Sequence, residues 1–205
     1  MKALSTAALV LASLATFAFA APNFYNPTIG KKGIYYSAAA YCKYETLDFW
    51  KCGAPCNFNG GLQNVYRIHN MGRDTFAYAG WSSRDNEIVL TFRGTNGFDL
   101  ENWISNIKVL QRSYPNSPIA GASVHRGFYQ AYEEVKDQVR SVMAALIRAH
   151  PSSPIFVNGH SLGGALAVFA ALDVKLNLRP TNKITIYTYG QPRVGNEKFS
   201  DLLFS

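Results

Sequence analysis

The chain has 205 residues, a length that suits one domain with a buried core. Hydrophobic residues make up 48% of it and charged residues only 16%, which excludes a disordered polyelectrolyte and indicates a globular protein. The net charge of +7 comes from scattered lysines and arginines that form no basic stripe. Nucleic-acid binding needs clustered cations or a recognisable module, so the composition favours a solvated basic surface with at most weak attraction to anionic lipid.

The first 20 residues have the pattern of a secretory signal peptide. Lys2 supplies a positive charge, residues 7–19 form an apolar stretch, and Ala18-Phe19-Ala20 fits the A-x-A cleavage pattern. A membrane-spanning helix is the alternative, but the stretch is short and rich in Ala, Ser and Thr. We therefore expect an exported mature domain over residues 21–205. No other segment is long and apolar enough to predict a transmembrane helix in the mature chain.

Export places the three cysteines in an oxidising compartment. Cys52 and Cys56 are close enough in sequence to form a local disulfide. Cys42 then has no partner, which leaves a free thiol, an intermolecular bond or a missing partner. A zinc site is less favoured, because no histidine lies near these cysteines at ligand spacing.

Strand-like and helix-like patterns alternate along the mature chain. This alternation predicts an α/β fold with a largely parallel central sheet and helices on both of its faces. The predicted elements in chain order are a helix at 35–41, strands at 65–68 and 75–81, a hairpin turn at 83–86, a strand at 87–93, an amphipathic helix at 127–150, a strand at 155–158, a helix from 162 to about 177 and a strand at 184–189.

The most informative stretch is Gly-His-Ser-Leu-Gly at 159–163, which joins the strand ending at Asn158 to the next helix. Strand, Gly-x-Ser-x-Gly and helix together are the context of a nucleophile elbow, a turn so tight that it lifts the serine hydroxyl into the open. The helix N-terminus directs its unpaired N–H groups at any oxyanion that forms there. We therefore predict Ser161 as a catalytic nucleophile; the alternative is a glycine-rich turn with a surface serine.

A tetrahedral oxyanion needs at least two hydrogen-bond donors. The residue after the nucleophile, Leu162, supplies one backbone N–H. Thr95 is the second candidate, because it ends the loop after the 87–93 strand and offers both an N–H and a hydroxyl. Gly94 allows the sharp turn that this role needs. An ordinary strand-end turn is the alternative for this loop.

A short amphipathic segment follows at 99–107. Leu100, Trp103 and Ile104 share one face at helical spacing, and Asp99 is a good N-cap. The segment is either a helix packed on the core or a lid, whose apolar face covers the pocket in water and turns outward on lipid. Its position directly after the Thr95 loop favours the lid.

Together these motifs resemble the class 3 lipases, the fungal lipase-like group of triacylglycerol lipases and related esterases. The resemblance implies an α/β-hydrolase fold, Ser161 as nucleophile, Thr95 and Leu162 in the oxyanion hole, and a lid just after Thr95. It also implies a Cys52–Cys56 bridge and a partner for Cys42 near the family's C-terminus. The matching motifs are SAAAYC at 37–42, TFRGT at 91–95, ENWI at 101–104, VHRGF at 124–128, GHSLGG at 159–164 and YGQPRVGN at 189–196.

One part of the family's pattern is missing. The expected order of the catalytic residues is Ser, then Asp or Glu, then His. The histidines all precede the nucleophile; they are His69, His125, His150 and His160. His160 is adjacent to Ser161 and cannot place its ring over the hydroxyl, and Asp173 and Asp201 do not lie where the family places its acid. We therefore expect a C-terminally incomplete domain, whose absent part carries the acid, the base and the partner of Cys42.

The sequence thus predicts a secreted serine ester hydrolase, foremost a triacylglycerol lipase, that acts through a Ser161 acyl-enzyme. The alternatives are a phospholipase A1 or feruloyl-type esterase of the same family, or a truncated, catalytically poor protein that binds lipid. The expected partner is a lipid or other ester at an oil–water interface. Nucleic acid, metals and organic cofactors are not expected, and the oligomeric state stays open.

Overall fold

The computed structural model of this chain describes residues 25–72, 74–95, 110–115 and 117–204. The predicted signal peptide at 1–20 lies outside these residues. The predicted lid, with Leu100, Trp103 and Ile104, lies outside them as well.

Helices and strands alternate along the described residues, as the sequence predicts. The helices are α1 (Pro27–Ala39), α2 (Tyr44–Asp48), α3 (Ala54–Phe58), α4 (Arg126–Glu133), α5 (Lys136–Ala149), α6 (Leu162–Asp173) and α7 (Glu197–Phe204). The strands are β1 (Leu62–Asn70), β2 (Thr75–Ser82), β3 (Glu87–Phe92), β4 (Gln111–Ser113), β5 (Ser123–His125), β6 (Ile155–His160) and β7 (Ile184–Tyr189).

The central sheet has the strand order β1-β2-β3-β6-β7. Strands β1, β2 and β3 pair antiparallel, and the predicted hairpin turn at 83–86 joins the last two of them. Strands β3, β6 and β7 pair parallel, because each connection between them crosses back through helices. The predicted α/β fold is confirmed, and the sheet is parallel in the half that carries the strand leading to Ser161.

Side chains of the strands alternate between two helical layers. On one face Tyr78, Val89 and Phe156 pack beneath α1. On the other face Leu90 and Val157 join a larger core with α4, α5 and α6. Because both faces are covered, the central strands are mostly apolar, and their buried polar residues Thr91 and Asn158 bond to each other at 3.2 Å.

The prediction of one amphipathic helix at 127–150 is wrong, because the structure has two helices there. The break lies at Val135, whose φ is −114° and whose N–H donates to the carbonyl of Tyr132 at 3.0 Å. Val135 is β-branched and completely buried, so this bend lets both helices turn apolar faces to one core. After the break, Met143 is fully buried and Val142 is half-buried.

Two predicted helices differ from the structure in their ends. The helix predicted at 35–41 begins earlier, because Asn26 caps two N–H groups of the first turn and Pro27 suits the first helical position. The helix predicted from 162 to about 177 continues past α6 as a π-helical turn at Val174–Leu178.

The predicted Cys52–Cys56 disulfide is present at the start of α3. The thiol of Cys42 is free within the described ranges and lies 3.6 Å from the carbonyl oxygen of Cys52, and burial raises its pKa. In the part of the chain that the structure describes, no helix combines the length and hydrophobicity needed to cross a bilayer.

Candidate active site

Ser161 occupies the turn between β6 and α6. Its φ of 54° and ψ of −126° lie in a backbone region that residues with side chains rarely adopt. Its N–H donates to the carbonyl of Tyr189 at 2.8 Å, and its carbonyl accepts from the N–H of Gly164 at 3.0 Å. The strained residue is therefore fixed on one side by strand β7 and on the other by the first turn of α6.

The glycines of the motif are required by close backbone approach. A Cβ at Gly159 would lie 2.3 Å from the carbonyl oxygen of Gly163. A Cβ at Gly163 would lie 2.3 Å from the carbonyl oxygen of Phe92, in the neighbouring strand β3. The elbow is thus as tight as the sequence predicts, and it is packed directly against the end of β3.

The loop that carries Thr95 lies against the elbow. Strands β3 and β6 are paired in register through Phe92 and Gly159, so the residues after β3 emerge beside Ser161. A Cβ at Gly94 would lie 2.6 Å from the carbonyl oxygen of His160 and 3.1 Å from the Cβ of Ser161. Half-buried Thr95 is the next residue, so the structure brings it and Ser161 together.

Leu162 is the first residue of α6, and its N–H is one of the helix's unpaired donors. The predicted nucleophile and both predicted oxyanion-hole residues therefore lie at one end of the sheet. Ser161 itself is only 5% exposed, whereas the sequence predicts an open hydroxyl. The Gly94 loop lies close to the serine, since a Cβ at Gly94 would be 3.1 Å from the serine Cβ.

Arg93 anchors the start of this loop, a role that sequence reasoning missed. Its guanidinium donates to the backbone carbonyl of Asp74 at 3.0 Å and to the carboxylate of Asp74 at 2.6 Å. The same group lies 5.3 Å from the ring centre of Phe76. A charged residue directly after a buried strand is a signal that could have drawn attention to it, since burial of a charge requires such partners.

Tyr41 is a second residue without a predicted role. Its hydroxyl oxygen accepts a hydrogen bond from the N–H of Gly94 at 3.1 Å and lies 2.9 Å from Nδ1 of His160. Burial raises the pKa of this phenol, so the hydroxyl keeps its proton at neutral pH. Tyr41 belongs to the SAAAYC motif that the chain shares with the resembling family. This motif was the feature of the sequence that could have indicated a role for it.

The four histidines contact groups other than the Ser161 hydroxyl. His160 contacts the Tyr41 hydroxyl, and His150 stacks on Trp81 with ring centres 4.2 Å apart. His125 caps α4 by accepting from a backbone N–H, and His69 packs against aromatic rings beside β1. Each of the four rings thus has a contact of its own in the described part of the chain.

The two acids considered as triad members also have other partners. Asp173 lies at the far end of α6, where its carboxylate accepts from Arg140 at 2.7 and 2.9 Å and from Tyr132 at 2.8 Å. Asp201 is in α7 and pairs with Lys198 at 3.7 Å. Both carboxylates therefore bind other side chains of the fold.

A largely apolar cleft of about 330 Å³ opens beside the loop after β7. It lies at the carboxyl ends of the parallel strands, the end at which Ser161 also lies. The loop comes close to the elbow at Gln191. A Cβ added at Gly164 would lie 3.1 Å from the Cβ of Gln191. The cleft is lined by Gln111, His125, Phe128, Pro192, Arg193, Val194 and Gly195.

Comparison with known proteins identifies the family that shares this arrangement. The family model described as "Lipase (class 3)" matches residues 89–204, more than half of the chain. This chain belongs to the class 3 lipases. The matched residues of this class 3 lipase include the Thr95 loop, the elbow and the cleft.

Two relatives and one solved structure illustrate how far the similarity extends. The chain is 32% identical to a lipase of Rhizomucor miehei over 173 residues, which cover 82% of this chain and 46% of that protein. It is 37% identical to the secreted mono- and diacylglycerol lipase 1 of Fusarium solani over 174 residues, 80% of this chain and 49% of that protein. The chain thus spans less than half the length of these two curated relatives.

The similar structure is that of a triacylglycerol lipase whose catalytic centre is described as a serine protease triad. It aligns with a TM-score of 0.77 at 30% identity and covers 87% of this chain and 66% of that one. The class 3 lipase described here therefore has the α/β-hydrolase fold that the sequence predicts.

Proposed function

We propose that this chain is the nucleophile-bearing part of a secreted carboxylic-ester hydrolase, with triacylglycerol hydrolysis as its leading activity. The observation that carries the proposal is the strained Ser161 at the elbow, with the Thr95 loop packed against it. Membership of the class 3 lipases supports the same chemistry. The matched relatives and the similar structure are also named as lipases.

In the proposed reaction the Ser161 Oγ attacks the ester carbonyl carbon and gives up its proton to a base. The carbonyl π electrons move to the oxygen, and the N–H groups of Thr95 and Leu162 donate to the resulting oxyanion. Collapse of this intermediate re-forms the C=O bond and expels the alcohol, which takes up a proton. Water then attacks the acyl-enzyme in the same way and releases the fatty acid.

We propose that the base and its acid partner come from sequence outside these 205 residues. No histidine follows Ser161 in the chain, and the four that precede it contact other groups. The length of the curated relatives supports this proposal, because the chain matches less than half of each. The 205 residues would then supply the nucleophile and the oxyanion hole.

The cleft beside the loop after β7 is the proposed site for an acyl chain. Phe128, Pro192 and Val194 give it apolar walls, which suits the hydrocarbon part of a lipid. We propose that Leu100, Trp103 and Ile104 form the lid that covers this region in water. A rate that rises sharply above the solubility limit of the substrate would support a working lid, and a flat profile would contradict it.

The secretion proposal rests on the signal-peptide pattern of residues 1–20. The name of the Fusarium solani relative includes secretion and supports the same assignment. N-terminal sequencing of the exported protein tests it: we expect the mature chain to begin at Ala21. Retention of residues 1–20 on the exported chain would contradict the proposal.

The hydrolytic proposal is tested with a short-chain chromogenic ester. We expect the wild-type chain to hydrolyse it faster than Ser161→Ala, because the oxyanion hole is intact in both proteins and only the wild type has the hydroxyl that can form an acyl-enzyme. Ser200→Ala is the matched control, since this exposed serine lies in α7 away from the elbow. Equal rates for the wild type and Ser161→Ala would leave only a lipid-binding role.

Imidazole in solution provides a second test, aimed at the missing base. An external base can replace an absent general base if the nucleophile is otherwise in place. We expect added imidazole to accelerate ester hydrolysis by the wild-type chain beyond its effect on Ser161→Ala. An identical increase for the two proteins would show only the background reaction of imidazole and would contradict the proposed division of roles.

A further inference from the structure

The Tyr41 hydroxyl bridges two segments that are far apart in the sequence. It accepts a hydrogen bond from the N–H of Gly94 at 3.1 Å, and it lies 2.9 Å from Nδ1 of His160. Gly94 directly precedes Thr95, and His160 directly precedes Ser161. One hydroxyl therefore contacts the neighbour of a proposed oxyanion donor and the neighbour of the proposed nucleophile.

The proton positions in this bridge follow from the donors available. The Gly94 N–H can only donate, so it uses a lone pair of the tyrosine oxygen and leaves the phenol proton free for His160. The tautomer of His160 with its proton on Nε2 offers Nδ1 as the acceptor for the phenol proton. The bridge runs from the Gly94 amide through the phenol to the imidazole, with a donor and an acceptor matched at each step.

Backbone contacts place Tyr41 and Gly94 next to each other. Tyr41 follows α1 in a turn in which its N–H donates to the carbonyl of Ala38 at 3.1 Å, and α1 is packed on the sheet. A Cβ at Gly94 would lie 2.5 Å from the Tyr41 hydroxyl oxygen. Glycine therefore lets the loop approach the hydroxyl closely enough for its N–H to be held.

We propose that Tyr41 is a positioning residue, which fixes the loop carrying Thr95 against the Ser161 elbow. The inference rests on the proposed function of this site and adds the element that sets the distance between the two oxyanion donors. Donor placement matters because a displacement of about 1 Å at a catalytic site can cost about 100-fold in rate. Tyr41 acts through the loop and the elbow, without a step of its own in the reaction.

The test compares Tyr41→Phe with Tyr187→Phe. Tyr187 is a matched control, because its hydroxyl also accepts a hydrogen bond from a backbone N–H, that of Asn26 at 3.3 Å. Both variants lose one hydroxyl and the hydrogen bond that it accepts from the backbone. Only Tyr41→Phe removes the contacts to the Gly94 loop and to His160.

Two readouts separate positioning from a purely structural role. Amide hydrogen exchange at Gly94 is expected to accelerate at least about tenfold in Tyr41→Phe and to stay unchanged in Tyr187→Phe. In ester hydrolysis, kcat of Tyr41→Phe is expected to fall by about 10-fold with little change in KM, because the loss concerns the transition state. Tyr187→Phe is expected to keep both constants.

Failure of this inference can be told apart from failure of the proposed function. If wild type and Ser161→Ala hydrolyse the ester equally, the proposed function fails, and the Gly94 exchange rate alone decides whether Tyr41 holds the loop. Unchanged exchange at Gly94 in Tyr41→Phe would overturn the inference, whatever the activity. Equal kcat for the two tyrosine variants in an active protein would overturn it as well.

Discussion

At the scale of single residues, the elbow depends on glycines, because glycine has no side chain. Gly159 and Gly163 lie where a Cβ would overlap backbone atoms, and the sequence predicted both because a Gly-x-Ser-x-Gly motif is local. The motif, the strand before it and the helix after it all lie within about 20 consecutive residues. Local patterns of this kind are what a single sequence reports best.

Replacing Gly163 by alanine tests this packing. The new Cβ would lie 2.3 Å from the Phe92 carbonyl oxygen, which is backbone and cannot rotate away. We expect Gly163→Ala to lower the free energy of unfolding by about 2 kcal/mol or more. Gly60→Ala is the control, because its Cβ would have ordinary contact at 3.8 Å with Asn57, and its stability should change by less than about 0.5 kcal/mol. Chemical denaturation measures both, and equal stability would contradict the packing.

Contacts between distant residues were not predictable in this way. Tyr41 and His160 are 119 residues apart, and Arg93 and Asp74 are separated by 19 residues across a strand pair. No local pattern indicates that such side chains meet, because the strand register decides it. For the same reason the sequence predicted an open Ser161 hydroxyl, although the residue is only 5% exposed.

At the scale of elements, the helices on the α6 side are linked by one buried carboxylate. Asp173 at the end of α6 accepts from Arg140 in α5, from Tyr132 in α4 and from Asn177 in the π-helical turn. This cluster joins the two helices that the sequence predicted as one. The periodic pattern was continuous through Val135, so the sequence alone could not reveal the break there.

Removing this carboxylate tests its importance for the helical layer. Asp173→Ala leaves the donors of Arg140 and Tyr132 without their acceptor, so we expect a loss of about 3 kcal/mol in the free energy of unfolding. Asp201→Ala removes an exposed carboxylate paired with Lys198 and should cost less than about 0.5 kcal/mol. Thermal or chemical unfolding of the two variants measures the difference. Comparable losses would show that the Asp173 cluster adds nothing beyond a surface ion pair.

At the scale of the whole molecule, the two cores on either side of the sheet contain buried tyrosines. Tyr36, Tyr78 and Tyr132 are all at most 1% exposed. Burial raises the pKa of Tyr36 to about 12, and it raises the pKa values of the other two well above the ordinary range. The folded state thus holds these phenol protons more tightly than the unfolded chain does.

This difference predicts how stability depends on alkaline pH. Below a pH of about 10 the tyrosines are neutral in both states and their contribution is fully present. As the pH rises further the unfolded chain loses these protons first, so the free energy of unfolding should fall. Tyr78→Phe should make this fall shallower, whereas Tyr66→Phe, at a position 44% exposed, should not. Denaturation across the alkaline range checks the slopes, and identical slopes in all three proteins would refute the linkage.

The overall architecture was accessible from the sequence because alternating patterns and short turns specify the order of elements. The antiparallel half of the sheet follows from short connections such as the turn at 83–86, and the parallel half from the helical crossovers. The bend between α4 and α5 and the bridge at Tyr41 depend on how these elements pack in three dimensions. The sequence therefore predicted the kind of site better than the contacts that hold it.

The most direct measurement is to map where a fluorophosphonate reagent labels the chain when imidazole is added in place of the proposed missing base. Such a reagent resembles the tetrahedral intermediate and reacts with a serine whose oxyanion is stabilised. We predict a single adduct on the peptide containing Ser161, identified by mass spectrometry and abolished in Ser161→Ala, with Ser200→Ala labelled like the wild type. An adduct spread over several serines, or one that persists undiminished in Ser161→Ala, would contradict the assignment of Ser161 as the nucleophile.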